Sequence, residues 1–162
     1  KGGIGTASLV GPRGIVVGAL VVTNAVGSIY DPTTGALLAG PRDPDGRMAP
    51  LPEVLERRTA QMDALLAAPT NTTLAVVATN AAFEHHLLQR VAYQAHDGMA
   101  RAIVPVHTFA DGDVAFAVSM GTLEVRDSDA LTVGTMVVEA MATAILRSVR
   151  LAKSVGGVPS IA

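Results

Sequence analysis

The strand-length apolar runs of this 162-residue chain carry almost no polar alternation. Residues 15–22 read Ile-Val-Val-Gly-Ala-Leu-Val-Val and residues 74–79 read Leu-Ala-Val-Val-Ala-Thr. A strand with one wet face alternates apolar and polar side chains, whereas a run apolar on both faces is expected to be covered on both. That leaves few architectures, all of them layered. Each run is far shorter than the roughly 20 residues a helix needs to cross a bilayer. Gly18, inside the first run, predicts close approach by another backbone.

The order of segments fits layers. Residues 4–10 and 15–24 read as strands joined by Gly11-Pro12-Arg13-Gly14, a turn sequence. Residues 27–52 hold Pro32, Pro41, Pro44, Pro50 and Pro52 with Gly35, Gly40 and Gly46, which predicts a long surface loop without strand or helix. Residues 53–68 fit a helix opened by Pro52 and closed by Pro69, with a modest stripe of Leu55, Met62, Leu65 and Leu66. Residues 72–79 form the central strand. Residues 82–103 fit a helix, because Phe83, Leu87, Val91, Ala95 and Met99 recur at helical spacing before Pro105. A strand over 114–120 follows, then a loop over 121–128 with room for a short strand. Residues 131–155 read as a long helix, apolar almost all round as far as Leu146 and then basic at Arg147, Arg150 and Lys153, which complements the helix dipole. Gly156-Gly157 close it. No internal repeat occurs, and the order predicts an α/β layered sandwich in one domain.

Composition narrows the chemistry. Apolar residues make up 49% and aromatic ones 3%, so the core is aliphatic. A formal charge of −2 provides no basic footprint for nucleic acid. With no cysteine, disulfides, thiolate nucleophiles and zinc–sulfur sites are excluded. Glu139 in the middle of the long apolar helix argues against membrane insertion. The residues given hold no charged-then-apolar leader, so the expected location is cytoplasmic. The abrupt Lys1-Gly2-Gly3 opening leads us to expect further residues upstream.

Candidate chemistry centres on Asn71-Thr72-Thr73. A threonine hydroxyl needs a base. A threonine at a chain start supplies its own, since a free α-amine titrates at about 7.7 to 8. Attack of Thr72 on the preceding carbonyl, an acyl shift from nitrogen to oxygen and hydrolysis would expose that amine. By spacing alone the tripeptide reads first as a turn residue followed by a strand start, since such tripeptides are common. It also matches a glycosylation sequon, which counts for little without a secretory leader. Asp111-Gly112-Asp113 is open to three readings: a turn, a metal site, or a holder for an amine. Asn24, ending a buried strand, offers an oxyanion donor or a cap. Lys1 offers positive charge. His85, His86, His96 and His107 fit no HExxH or HxxEH pattern and are read as non-catalytic.

Three phrases occur together and in order: Lys-Gly-Gly-Ile-Gly-Thr-Ala-Ser at 1–8, Val-Val-Thr-Asn-Ala-Val-Gly at 21–27, and Asn-Thr-Thr-Leu-Ala-Val-Val-Ala-Thr-Asn-Ala at 71–81. The chain resembles the DmpA-type aminopeptidase and nylon-oligomer (6-aminohexanoate oligomer) hydrolase family of N-terminal nucleophile hydrolases. The resemblance implies an αββα four-layer sandwich, related to ornithine acetyltransferase. It also implies one catalytic domain over 1–162, self-cleaved between 71 and 72, with 1–71 closing the α subunit and 72–162 forming the β subunit. Thr72 falls on the nucleophile, Asn71 on the new C-terminus, and Asn24 on the site asparagine. Lys1 falls on the lysine of the Lys-Gly-Gly phrase. Asp111 and Asp113 fall on the aspartate pair of the nylon-hydrolase branch. The aminopeptidase branch cleaves before a serine and carries a serine and a glutamate in the later loop. The family also has a segment before Lys-Gly-Gly that contributes strands and a tyrosine.

The resulting expectation is an amidohydrolase for linear amides or short peptides, working without metal or organic cofactor. Its two pieces would self-associate, and the pair would assemble into a tetramer or octamer. The alternatives are an aminopeptidase, a non-catalytic assembly domain keeping the fold, and an acyl transferase.

Overall fold

The computed structural model describes residues 1–43, 45–57 and 71–161. Strands β1 (Ile4–Val10) and β2 (Val16–Val22) form a hairpin in unbroken register, Ile4 facing Val22 and Val10 facing Val16. Gly11-Pro12-Arg13-Gly14 makes the turn as expected: the Gly11 N–H donates to the Ile15 carbonyl at 2.8 Å, and Gly14 takes φ 78°. Strand β5 (Leu74–Ala81) lies antiparallel to β2, and β7 (Val114–Leu123) lies parallel to β5. The sheet order is β1-β2-β5-β7. A parallel pair needs a crossover, and α2 (His85–Ala102) supplies it.

The proline-rich stretch is more structured than its punctuation predicts. Strands β3 (Ser28–Tyr30) and β4 (Leu37–Ala39) pair with each other, and β3 also pairs with β6 (Ile103–Val104), making a second sheet of three strands. Between β3 and β4, the Asp31 carboxylate accepts the Thr33 N–H, and Gly35 turns at φ 72°. Three-residue strands are too short to show a period, and their partner lies some seventy residues away. Helix α1 (Leu51–Arg57) begins two residues before expected. The rest of the helix expected over 53–68, its closing Pro69 and Pro44 fall outside the described residues.

Other boundaries shift. Helix α2 stops at Ala102, where Ile103 joins β6. Strand β7 runs on through Gly121, at φ 64°, to Leu123. Helix α3 (Asp129–Arg150) ends before Gly156-Gly157, which instead turn the chain so that Val155 and Val158 exchange main-chain hydrogen bonds.

Both long helices cover one face of the four-stranded sheet. Helix α3 lies over β1 and β2, α2 lies beside β7, and the helices pack on each other. Val17, Val21, Ala75 and Val77 from the sheet meet Met99, Val137, Met141 and Ile145 from the helices in an aliphatic core. Helix α3 is long and apolar enough to cross a membrane by length and composition, yet half of that stretch is buried here as the core helix. Its exposed Glu139 pairs with Arg101 at 2.7 Å.

Expected burial on both faces is not what the described residues show. The strands alternate, and the face away from the helices carries exposed Ile4, Leu20, Val22, Leu74, Val76, Phe116 and Val118. Two rows cross all four strands there: Ile4–Val22–Leu74–Val114 and Thr6–Leu20–Val76–Phe116. Apolar side chains on both faces explain the unalternating sequence, while only one face meets helices. Gly18 also differs from expectation: the nearest atom to an added Cβ would be the Ala7 carbonyl oxygen at 4.0 Å. The close approach is at Gly5, where a Cβ would lie 1.9 Å from the Ala144 carbonyl oxygen on α3.

Candidate active site

Sheet register assembles the site. Val22 faces Leu74 across the antiparallel pair, so Asn24, just past β2, arrives beside Thr72. Leu74 faces Val114 across the parallel pair, so residues 111–113 arrive beside 71–73. Asn71 and Asp111 form one further parallel bridge.

Main-chain groups hold Thr72 on both sides. Its N–H donates to the Asn24 carbonyl at 2.9 Å. The Asn71 carbonyl oxygen accepts two hydrogen bonds, from the Gly112 N–H at 3.0 Å and from the Thr72 Oγ1 hydroxyl at 2.7 Å. The carbonyl before Thr72 is thus polarised by a fixed amide with the hydroxyl resting on it. Gly112 also keeps the space open, because a Cβ there would lie 3.0 Å from Thr72 Oγ1.

The two aspartates support this backbone. Asp113, its side chain 2% exposed, accepts the Thr73 N–H on Oδ1 at 2.7 Å. Its Oδ2 lies 2.8 Å from His107 Nδ1 and accepts the His107 main-chain N–H at 3.3 Å. Asp111 accepts the Val26 N–H on Oδ1 at 3.1 Å, and the Thr108 hydroxyl and N–H on Oδ2 at 2.5 and 3.2 Å. The described contacts of the pair are therefore to residue 73 and to the flanking loops, and the Thr72 nitrogen goes to Asn24. Among the described residues no group of three His, Asp or Glu side chains gathers in a metal-holding arrangement.

Two cavities flank the junction. The larger, about 610 Å³, is lined by Lys1, Asn24 and Asn71 together with apolar Ile29, Leu51, Val54 and Val149. Lys1 is thus near the junction, with its Nζ donating to the Gly2 carbonyl at 3.3 Å. The smaller, about 400 Å³, is lined by Tyr93, His96, Asp97, His107, Asp111 and Asp113.

Residue types alone did not point to three participants. The Asn24 carbonyl and the Gly112 amide are main-chain atoms, which side-chain identity cannot reveal. The third is His107, which joins His96 through Nε2 and Nδ1 at 3.2 Å, eleven residues apart on a helix and a loop. Burial, and then the neighbouring His107, hold the His96 imidazole below its ordinary range.

Thr73 is fully buried, and its hydroxyl has no hydrogen-bond partner among the described residues. A buried hydroxyl without a partner is unfavourable. Thr73→Val keeps the shape and the main-chain bond to Asp113, and is expected to stabilise the fold by about 1 kcal/mol. Urea unfolding of the two proteins checks this.

The sequence profile of peptidase family S58 matches residues 1–160. The chain belongs to peptidase family S58. An uncharacterized aminopeptidase of Mycobacterium tuberculosis is 37% identical over 99% of this chain and 51% of its own length. One of Mycobacterium leprae is 39% identical over 99% and 47%. A 6-aminohexanoate-oligomer endohydrolase of Kocuria sp. is 32% identical over 80% of this chain and 37% of its own. The chain spans about half the length of the mycobacterial relatives.

Among solved structures, the l-aminopeptidase d-ala-esterase/amidase of Ochrobactrum anthropi, described as a variant of the Ntn hydrolase fold, superposes with a TM-score of 0.64 at 23% identity. That superposition covers 98% of this chain and 43% of the other. A Burkholderia sp. beta-aminopeptidase gives 0.58 at 24% identity, covering 92% and 42%. The resemblance read from the three phrases is borne out, and with it the Ntn-hydrolase fold class.

Proposed function

We propose that this S58 chain carries the processing junction and nucleophile of an autoprocessing N-terminal threonine amidohydrolase for linear amides. The observation that carries the reading is the Asn71 carbonyl, held by the Gly112 amide with the Thr72 hydroxyl upon it. In the first step the Thr72 oxygen swings from the oxygen to the carbon of that carbonyl and attacks it. The Gly112 N–H holds the developing oxyanion. The carbon–nitrogen bond breaks, the nitrogen takes up the proton that the hydroxyl gives up, and Asn71 is left as an ester on Thr72. Water hydrolyses the ester, giving an Asn71 carboxylate and a threonine with free amine and hydroxyl.

The same atoms then serve turnover. The Asn24 carbonyl, which holds the Thr72 nitrogen at 2.9 Å, orients the new amine. That amine takes the hydroxyl proton as Thr72 attacks the substrate carbonyl, and passes it to the leaving amine. Departure of Asn71 frees the Gly112 N–H for the substrate oxyanion, with the Asn24 side chain a second candidate donor. Asp113 and Asp111 keep the two backbones in place. Lys1 adds positive charge at the rim of the larger cavity, whose apolar wall suits the methylene stem of an ω-amino acid.

Gly112→Ala retains the amide but presses a methyl toward Thr72 Oγ1. Misplacing a reacting atom is costly in rate, so we expect splitting and amide hydrolysis both to slow by about 10- to 100-fold. Time courses on denaturing gels and with a linear 6-aminohexanoate oligomer measure the two effects.

A second reading, an aminopeptidase, is favoured by the 37–39% identity to relatives named as aminopeptidases over 99% of this chain. An oligomer with an acetylated amino end separates the two. An endo-acting enzyme cuts it at interior bonds, whereas an aminopeptidase leaves it intact.

A further inference from the structure

The His96–His107–Asp113 cluster lies beside the junction and has no part in the proton transfers set out above. We propose that His107 is a positioning residue: its Nδ1–H fixes Asp113 so that the other carboxylate oxygen anchors the Thr73 amide and holds Thr72 against the Asn71 carbonyl. The inference rests on the Thr72 reading.

Connectivity carries it. Among the described residues, the nearly buried Asp113 meets the Thr73 N–H on one oxygen and the His107 main-chain N–H and ring nitrogen Nδ1 on the other. A carboxylate facing donors is an acceptor, so the ring nitrogen toward it must bear hydrogen. That fixes the His107 tautomer as Nδ1–H. In the neutral ring Nε2 is then an acceptor, and the atom facing it, His96 Nδ1 at 3.2 Å, must donate. The hydrogen bonds therefore run in one direction, from His96 to His107 to Asp113. The groups around the imidazole pair are Tyr93 and Asp97 from α2, Asp111 from the turn and Asp113 at the start of β7. Burial and then the neighbouring His107 push the His96 imidazole below its ordinary range, toward the neutral ring.

The backbone agrees. His107 sits at φ 54°, a left-handed conformation that side chains other than asparagine, aspartate and histidine seldom adopt. Asparagine at 107 would keep this conformation and place its amide NH₂ where Nδ1–H now lies. Glutamine reaches the Nε2 position instead and cannot hold Asp113 in the same way.

The test follows splitting at the junction in the protein at its natural full length. His107→Ala and His107→Gln are expected to slow it by at least about 10-fold, and His107→Asn to stay within about 3-fold of the parent. Ring-nitrogen NMR of the unsplit Thr72→Ala protein should show His107 protonated on Nδ1 and bare on Nε2. Splitting of the alanine and glutamine variants at the parental rate, failure of asparagine to rescue, or an Nε2–H ring would each overturn the proposal. If the parent never splits, the Thr72 reading fails, and the NMR result still decides the His107–Asp113 contact.

Discussion

The Thr72→Ala protein is expected to remain a single polypeptide and to hydrolyse no linear amide. The substitution removes the hydroxyl that rests on the Asn71 carbonyl at 2.7 Å, so the acyl shift has no acceptor and the amine is never released. Turnover then lacks both nucleophile and base, which one residue would have supplied together. Removing the nucleophile from a hydrolase lowers the rate by about 10⁶-fold, and here the base is lost as well. Alanine fits the position, since the described bonds of the Thr72 nitrogen to Asn24 and of Thr73 to Asp113 and Val114 are kept. An unchanged circular dichroism spectrum would show that loss of activity is not loss of fold. Thr72→Ser keeps a hydroxyl and should split and turn over. Intact mass and an amine-release assay read both variants.

Gly5→Ala should have the largest effect on stability. A Cβ at residue 5 would stand 1.9 Å from the Ala144 carbonyl oxygen and 2.6 Å from the Ser148 nitrogen, both main-chain atoms of α3. No rotamer change relieves a clash between backbone and a Cβ, so α3 must lift from β1. That opens the core around Val137, Met141 and Ile145, all fully buried. We expect a loss of about 3 kcal/mol or more, at the upper end for overpacked cores. Gly18→Ala in β2 is the matched control. Its Cβ would meet nothing closer than 4.0 Å, and alanine restricts the unfolded chain, so the protein should be unchanged or stabilised by about 0.5 kcal/mol. Denaturant midpoints for the two variants test this contrast.

The contrast also shows which parts of the fold could be read from the chain. The β1–β2 hairpin was legible because both its strands and its Gly-Pro turn are local signals. The glycine that meets another backbone was not, because contact between β1 and α3 depends on how distant segments pack, and Gly5 and Gly18 look alike in sequence. Strands β3 and β4 are not legible because three residues cannot show a period, and β3 is held between β4 and the distant Ile103–Val104. Apolar side chains on both faces of β2 were read correctly, but their cover is asymmetric among the described residues: helices on one side and an exposed face on the other.

The site divides in the same way. Spacing alone favours a strand start at Thr72 over a nucleophile. The gathering of Lys1, Asn24, Thr72, Asp111 and Asp113 came from the resemblance to known relatives. Register explains why those positions meet: β2 and β5 run antiparallel and β5 and β7 parallel, so their ends near Asn24, Thr72 and Asp113 share one edge. The partners of Thr72 itself are a main-chain carbonyl and a main-chain amide, to which side-chain patterns are blind. No short motif links His107 to His96 or marks its left-handed turn, so its sequence context assigns it no role.

N-terminal sequencing of the active, full-length protein is the most direct measurement. A second terminus reading Thr-Thr-Leu-Ala-Val, beginning at Thr72 and absent from the Thr72→Ala protein, is the result expected here. A fully active preparation whose only terminus is that of the uncut polypeptide would contradict the account.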